Sequence, residues 1–198
     1  MKLPISLKAG VPLALFASMI GVAQAAAILI DFDGVTPLSL VNHFYNGGTD
    51  SAGASGPNLG VDFSSSSFGV DGPEAAFLTN HVRLAGNGGL ASVAAGFGTS
   101  LDFDYAALLV DSFVTIYDGV NGTGIVLASA TLAATAFQST SVSFTGIGRS
   151  FMIDASGNRS TFLLDNLRFG DVPTAAVPAP ATWALVLLGF GVSLLSRR

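Results

Sequence analysis

The chain has no cysteine, only two lysines, one glutamate and one tryptophan, and charged residues make up just 11% of its 198 positions. Without cysteine there is no disulfide scaffold, no zinc–thiolate centre and no thiol nucleophile. The charged share is less than half of the roughly 25% usual in soluble domains, which excludes a disordered polyelectrolyte. Basic groups are scarce where they would matter for nucleic acid. Lys2 and Lys8 stand at the start and Arg197 and Arg198 at the end, leaving Arg83, Arg149, Arg159 and Arg168 against all thirteen acids, a balance of −9. A body of that sign repels phosphate backbones, so nucleic acid is excluded as a partner. Catalytic signatures are missing as well. There is no G-x-S-x-G elbow, and His43 and His81 stand apart without a triad or ligand pattern around them.

What is present is apolar and turn-rich. Half of the residues are hydrophobic, with 15 phenylalanines and 24 glycines, and twelve of the thirteen acids are Asp. Asp suits turns and oxygen-rich cation sites, where Glu suits helices. The length allows one domain plus targeting segments.

The two ends read as such segments. Lys2 and Lys8 precede an apolar stretch from Ala9 to Ala23, broken by Pro12 and closed by Ala23-Gln24-Ala25. A basic flank, a short apolar core and a small-x-small site describe a secretory signal peptide over residues 1–25, helical in its core. Cleavage is expected after Ala25, with Ala27 as the fallback, and export through the Sec machinery. The alternative is an uncleaved membrane helix, which the proline and the short length oppose. At the other end Val177-Pro178-Ala179-Pro180 breaks any helix, Trp183 follows, and an apolar run from Ala184 to Leu195 precedes Arg197-Arg198. Residues 181–196 would span about 24 Å as a helix, marginal for a bilayer core of about 30 Å. Trp183 can anchor one interface and the arginines the other, with the main domain outside the cytoplasm. The alternative, a buried core helix, sits poorly with paired arginines at its end.

This C-terminal segment, residues 173–198, resembles a PEP-CTERM sorting signal. That pattern has Val-Pro-Glu-Pro, a spacer often containing Trp-Ala, a hydrophobic transmembrane helix and a basic end. Val177, Pro178, Pro180, Trp183, Arg197 and Arg198 match it, and Ala179 stands where the family has Glu. The resemblance implies recognition by an exosortase, cutting near Pro178 to Pro180. It also implies a place in the cell envelope or extracellular matrix of an exopolysaccharide-producing bacterium.

Between the ends, residues 26–172 read as short β-runs separated by Gly, Ser and Asn turns. Runs are expected at 28–32, 60–64, 81–84, 101–105, 108–117, 125–132, 137–144, 151–154 and 162–169. Leu101, Phe103 and Tyr105 alternate with Asp102 and Asp104, the period of a half-buried strand. Asp118-Gly119-Val120-Asn121-Gly122-Thr123-Gly124 is a dense turn signal. Only Ala130–Phe137 competes as a helix, and Thr131 and Thr135 weaken it. Residues 46–58 read as an exposed, mobile loop. The expected fold is an all-β sandwich of the jelly-roll type. Leu101–Tyr105, Val114–Gly124 and the closing Leu164-Asp165-Asn166-Leu167 resemble the corresponding parts of galactose-binding-type jelly rolls.

Three site expectations follow. Asp31 and Asp33 at the end of the first strand, with Asp165 and Asn166 in the last, offer hard oxygens for a structural Ca²⁺; the alternative is turn and strand-end capping. Tyr117, Asp118 and Asn121 offer an aromatic ring with polar neighbours for a sugar, as do His43, Tyr45 and Asn46; the alternative is packing and turn formation. Asp102 and Asp104 offer a carboxylate pair for hydrolysis, against a plain solvated strand face. The reading is a non-catalytic exported surface or matrix protein, with a module for the cell's own exopolysaccharide as the alternative.

Overall fold

The computed structural model describes residues 27–63, 68–73, 79–84, 88–158 and 161–170. The signal peptide with Ala23 and Ala25, and the sorting segment with Val177, Pro178, Ala179, Pro180, Trp183, Arg197 and Arg198, lie outside them. The described chain is all-β. Nine strands run in order: β1 Ile28–Ile30, β2 Val61–Asp62, β3 Phe68–Asp71, β4 His81–Leu84, β5 Gly88–Ala107, β6 Ser112–Tyr117, β7 Val126–Leu132, β8 Thr135–Asp154 and β9 Phe162–Phe169. Every pairing is antiparallel, along the path β3-β4-β9-β5-β8-β6-β7, with β1 on β9 and β2 on β5.

β5 and β8 are each 20 residues long and carry the architecture. Their pairing slips between Ser92 and Phe97 and again between Gly98 and Ser100, and such irregularities bend and twist a ladder. Gly96 sits at φ 86° in this bend, a conformation open to glycine. Opposite it, a Cβ on Gly148 would lie 2.8 Å from the Phe97 ring. On one side of the bend, β5 and β8 join β9, β4 and β3; on the other they join β6 and β7. The two halves meet through their rings. Phe151 of β8, beyond the bend, contacts Phe68 at 6.5 Å and Phe169 at 6.1 Å between centroids. The rings continue through Phe97 to Phe144 and, the other way, through Phe63 and Phe32 to Tyr45 and Phe44. Most are edge-on, the geometry the ring quadrupole favours. The phenylalanine richness is therefore spent on one continuous core.

Three expectations change. Residues 137–144 and 151–154 are parts of a single strand, because glycines at the bend let the ladder turn without ending. Ala130–Phe137 is the junction of β7 and β8 rather than a helix. The 46–58 loop is stitched together by bridges Asn46–Asn58 and Thr49–Ser55. At its centre the Asp50 carboxylate accepts N–H groups of Thr36, Ala52 and Ala54 at 3.0, 2.9 and 2.9 Å. Burial opposes ionisation of Asp50, but these bonds and Thr36's side chain outweigh it and hold its pKa at about 2.

Candidate functional site

β6 alternates strictly. Val114 and Ile116 are buried, while Phe113, Thr115 and Tyr117 point to the opposite face. Register extends this outer face sideways. Phe113 lies beside Thr131 and Asp154, Thr115 beside Ser129 and Met152, and Tyr117 beside Val126 and Ser150. Leu90 of β5 follows Met152. Phe113 is 48% exposed, an unusual state for a ring in a chain that buries most of its phenylalanines. Phe113 and Tyr117 are four residues apart, about 13 Å along a strand. Between them the Thr115 and Ser129 hydroxyls meet at 3.3 Å.

One end of the face has a fixed wall. The turn after β6 folds back and is pinned from below. The Asn121 N–H donates to Ser92 Oγ at 2.9 Å, that hydroxyl donates to Asn121 Oδ1 at 3.1 Å, and the Gly122 N–H donates to Ser150 Oγ at 3.0 Å. Asn121 adopts φ 56° to do so. Asp118 closes the same turn, its Oδ1 accepting the Ile125 N–H at 2.6 Å. Of the three sugar-site residues expected from sequence, Tyr117 therefore belongs to the face, while Asp118 and Asn121 build the wall. Phe113, Thr115, Ser129, Met152 and Leu90 were missed. A period-of-two reading of β6 marks Phe113 as sharing a side with Tyr117, but which side faces water depends on the partner strands.

The calcium residues are brought near one another without forming a cage. Phe32 takes φ 58°, so the chain turns between Asp31 and Asp33 and strand alternation does not align them. Asp31 Oδ1 accepts the Asp33 N–H at 3.3 Å, and Asp33 Oδ1 accepts the Asn80 N–H at 3.0 Å. Asp165 is buried. It accepts the Asn166 N–H at 2.7 Å and the Thr79 hydroxyl at 3.2 Å. Burial, with Asp33 adding to it, pushes its pKa up to about 6. Asn166 sits at φ 49° in a bulge and turns its amide to Asp104 at 2.9 Å. Among the described residues no three carboxylates or imidazoles stand close enough to hold a metal. Burial first, then Asp31, Asp33 and Asp165, push the Tyr45 hydroxyl far above the usual phenol range. The Phe32 backbone beside that buried hydroxyl partly opposes the rise, but the hydroxyl makes no hydrogen bond of normal geometry among the described residues.

The remaining candidates are occupied locally. Asp104 accepts Ser139 and Asn166, and Asp102 accepts Ser100 Oγ at 3.1 Å. His43 Nδ1 lies 3.3 Å from Asp62, and buried His81 has its Nδ1 3.3 Å from the Thr79 carbonyl. A depression of about 300 Å³ at β3 is lined by Leu38, Leu40, Asp71 and Arg83. Its two charges form an ion pair with each other.

No family model and no curated protein matches the chain. Several solved structures are similar to it. A family 6 carbohydrate-binding module from Cellvibrio mixtus lichenase 5A, in complex with cellotriose, is 15% identical over 55% of this chain and 89% of its own, with a TM-score of 0.38. A family 29 carbohydrate-binding module from Piromyces equi is 9% identical over 75% of this chain and 91% of its own, at 0.39. A family 43 arabinoxylan arabinofuranohydrolase from Bacillus subtilis is 16% identical over 52% of this chain, at 0.40, and the match spans 25% of that enzyme.

Proposed function

We propose that the β-domain is a non-catalytic polysaccharide-binding module of an exported protein, and that the outer face of β6 holds the glycan. The β6 face, rather than the likeness to solved modules, carries the proposal. A sugar ring has an apolar face of C–H bonds and a rim of hydroxyls. It is matched by a partly exposed aromatic ring flanked by neutral donors and acceptors. Phe113 and Tyr117 supply a ring at each end of such a face, with the Thr115 and Ser129 hydroxyls between them. Their separation suits more than one sugar ring, hence a chain rather than a monosaccharide. A jelly roll of the galactose-binding type is the architecture this reading expects of the bent, ring-filled sheet.

The same reading takes the chain out of the cytoplasm. A leader ending at Ala25 and a tail of Val177-Pro178-Ala179-Pro180, Trp183 and Arg197-Arg198 support Sec export, membrane insertion of the tail and handling by an exosortase. The domain then reaches the envelope or the extracellular matrix, where the cell's own exopolysaccharide is its ligand.

The deciding experiment is affinity electrophoresis of the full chain in gels containing individual polysaccharides. Retardation by one glycan class is expected, with Phe113→Ala weakening it by about 1 kcal/mol or more, roughly fivefold. Unaltered mobility in every glycan, or retardation that survives both Phe113→Ala and Tyr117→Ala, refutes the site.

A further inference from the structure

The two ends of the strand path are finished differently. At β3 the outer edge is covered. The Leu38 N–H donates to the Val70 carbonyl at 2.7 Å, the Val70 N–H to Ser39 at 2.8 Å and the Val41 N–H to Phe68 at 3.0 Å. At the other end β7 pairs with β6 alone, and no further backbone bond reaches it among the described residues. An exposed edge is a template for another strand, and proteins that stay apart guard it with Lys, Pro, a bulge or a covering loop. β7 has no Lys and no Pro. Its one irregularity, between Ala128 and Val126, leaves Ala128 to Leu132 in regular register. The 30 residues from Gly119 to Gly148 contain no charged side chain at all. That span includes all of β7 and the part of β8, Thr135–Ser143, that pairs only with β5.

We infer that β7 is a self-association edge, taking β7 of a second copy in antiparallel register to continue the sheet across a two-fold axis. Two observations select a second copy over another partner. The chain is acidic, with a formal charge of −5, so two copies repel wherever their charges meet. Along β7 itself an approaching copy meets no charged side chain; the carboxylates of Asp118 and Asp111 stand only at its two ends, held on the Ile125 and Ala134 N–H groups. The strand is also self-complementary when run against itself. Centred on Ser129, the regular stretch Ala128-Ser129-Ala130 sets Ser129 against Ser129 and Ala128 against Ala130. Small residues thus face small residues at the axis, where side chains approach most closely. Ser129 is exposed and Ala128 and Ala130 are partly so, leaving room for the second strand. Such an isologous contact closes at a dimer. Ser129 belongs both to the glycan face and to this edge, but the inference rests on the open strand edge and not on glycan binding.

Sedimentation of the full chain in mild detergent, over a hundredfold range of concentration, tests it. Wild type is expected to pass from monomer to dimer. Ser129→Lys and Ser129→Asp each put like charges opposite one another at the axis and are expected to weaken the dimer about tenfold or more, with unchanged far-ultraviolet circular dichroism. Mixing the two variants restores a dimer, because opposite charges then face each other. Phe113→Ala leaves association intact, which separates this edge from the glycan face. A wild type that stays monomeric overturns the inference, as does a Ser129→Lys variant of the same mass as wild type, or a mixture no heavier than its parts.

Discussion

Replacing Asp165 by Asn should stabilise the protein near neutral pH and do nothing for it near pH 4. Asp165 is only 2% exposed, and its pKa is raised from 3.8 to about 6, chiefly by burial. The folded state therefore holds the proton more tightly than the unfolded chain. Its favourable contribution is complete below about pH 4, falls as pH rises towards about 6, and is absent above that. A shift of about two units at about 1.4 kcal/mol each is about 3 kcal/mol of ionisation cost in the folded protein at pH 7.5. Asn keeps a carbonyl oxygen for the Asn166 N–H, its amide NH2 in place of Oδ2 donates to the Thr79 hydroxyl oxygen, and it never ionises. For a domain of this size, 3 kcal/mol is roughly 10 °C in melting temperature. Thermal unfolding of the two proteins at pH 4, 5, 6 and 7.5 reads the difference. It should be near zero at pH 4 and grow to most of 10 °C at pH 7.5. A difference that does not change with pH, or a variant that melts lower at pH 7.5, refutes the reasoning. Asp50 works in the neighbouring window with the opposite sign. Its pKa of about 2 means stability lost as pH falls below about 4, so wild type should be most stable near pH 4.

Other substitutions probe the packing. Asn158 is buried, accepts the Leu109 and Val110 N–H groups at 2.8 and 3.1 Å, and donates to the Val110 carbonyl and to Ser112 Oγ. Asn158→Ala should therefore cost about 3 kcal/mol in urea unfolding, because it strands buried groups in the loop before β6. Tyr45→Phe should be neutral or stabilising by about 1 kcal/mol, since it removes a buried hydroxyl that makes no hydrogen bond of normal geometry among the described residues; a clear loss in the same assay would mean the hydroxyl is paired. Gly148→Ala should cost about 1–3 kcal/mol by pushing into the Phe97 ring at the bend. Mass spectrometry of the termini from fractionated cells should find a mature start at Ala26 and an end near Pro178 to Pro180, whereas an intact Arg198 in the membrane fraction would mean a lasting anchor.

Much of the strand content was legible because alternation is written locally. Leu101, Phe103 and Tyr105 are buried, and Asp102 and Asp104 are partly exposed, as their period of two requires. His81–Leu84 and Phe162–Phe169 fall where the apolar runs place them. The turn at 118–124 was legible from its glycines and asparagine. The joining of 137–144 to 151–154 was not, because a glycine inside a strand and a glycine ending one look alike until the partner ladder is known. Nor was the candidate site. Tyr117 was singled out together with Asp118 and Asn121, yet on β6 it shares a face with Phe113 instead. Asp118 and Asn121 look like ligand groups in sequence, but their polar atoms are already spent on Ile125 and Ser92.

The sequence by itself determined the domain's secondary-structure class, because periodicity and turn residues are properties of neighbouring positions; the expectation of export and sorting segments at its two ends rests on the order of charge and apolar runs alone. Only the tertiary structure decided which face of β6 meets water, that the Asn166 amide bonds Asp104, and that, among the described residues, β7 is left as an open edge while β3 is covered. Those outcomes depend on contacts between residues tens of positions apart, set by the bend of two long strands around a shared core of rings.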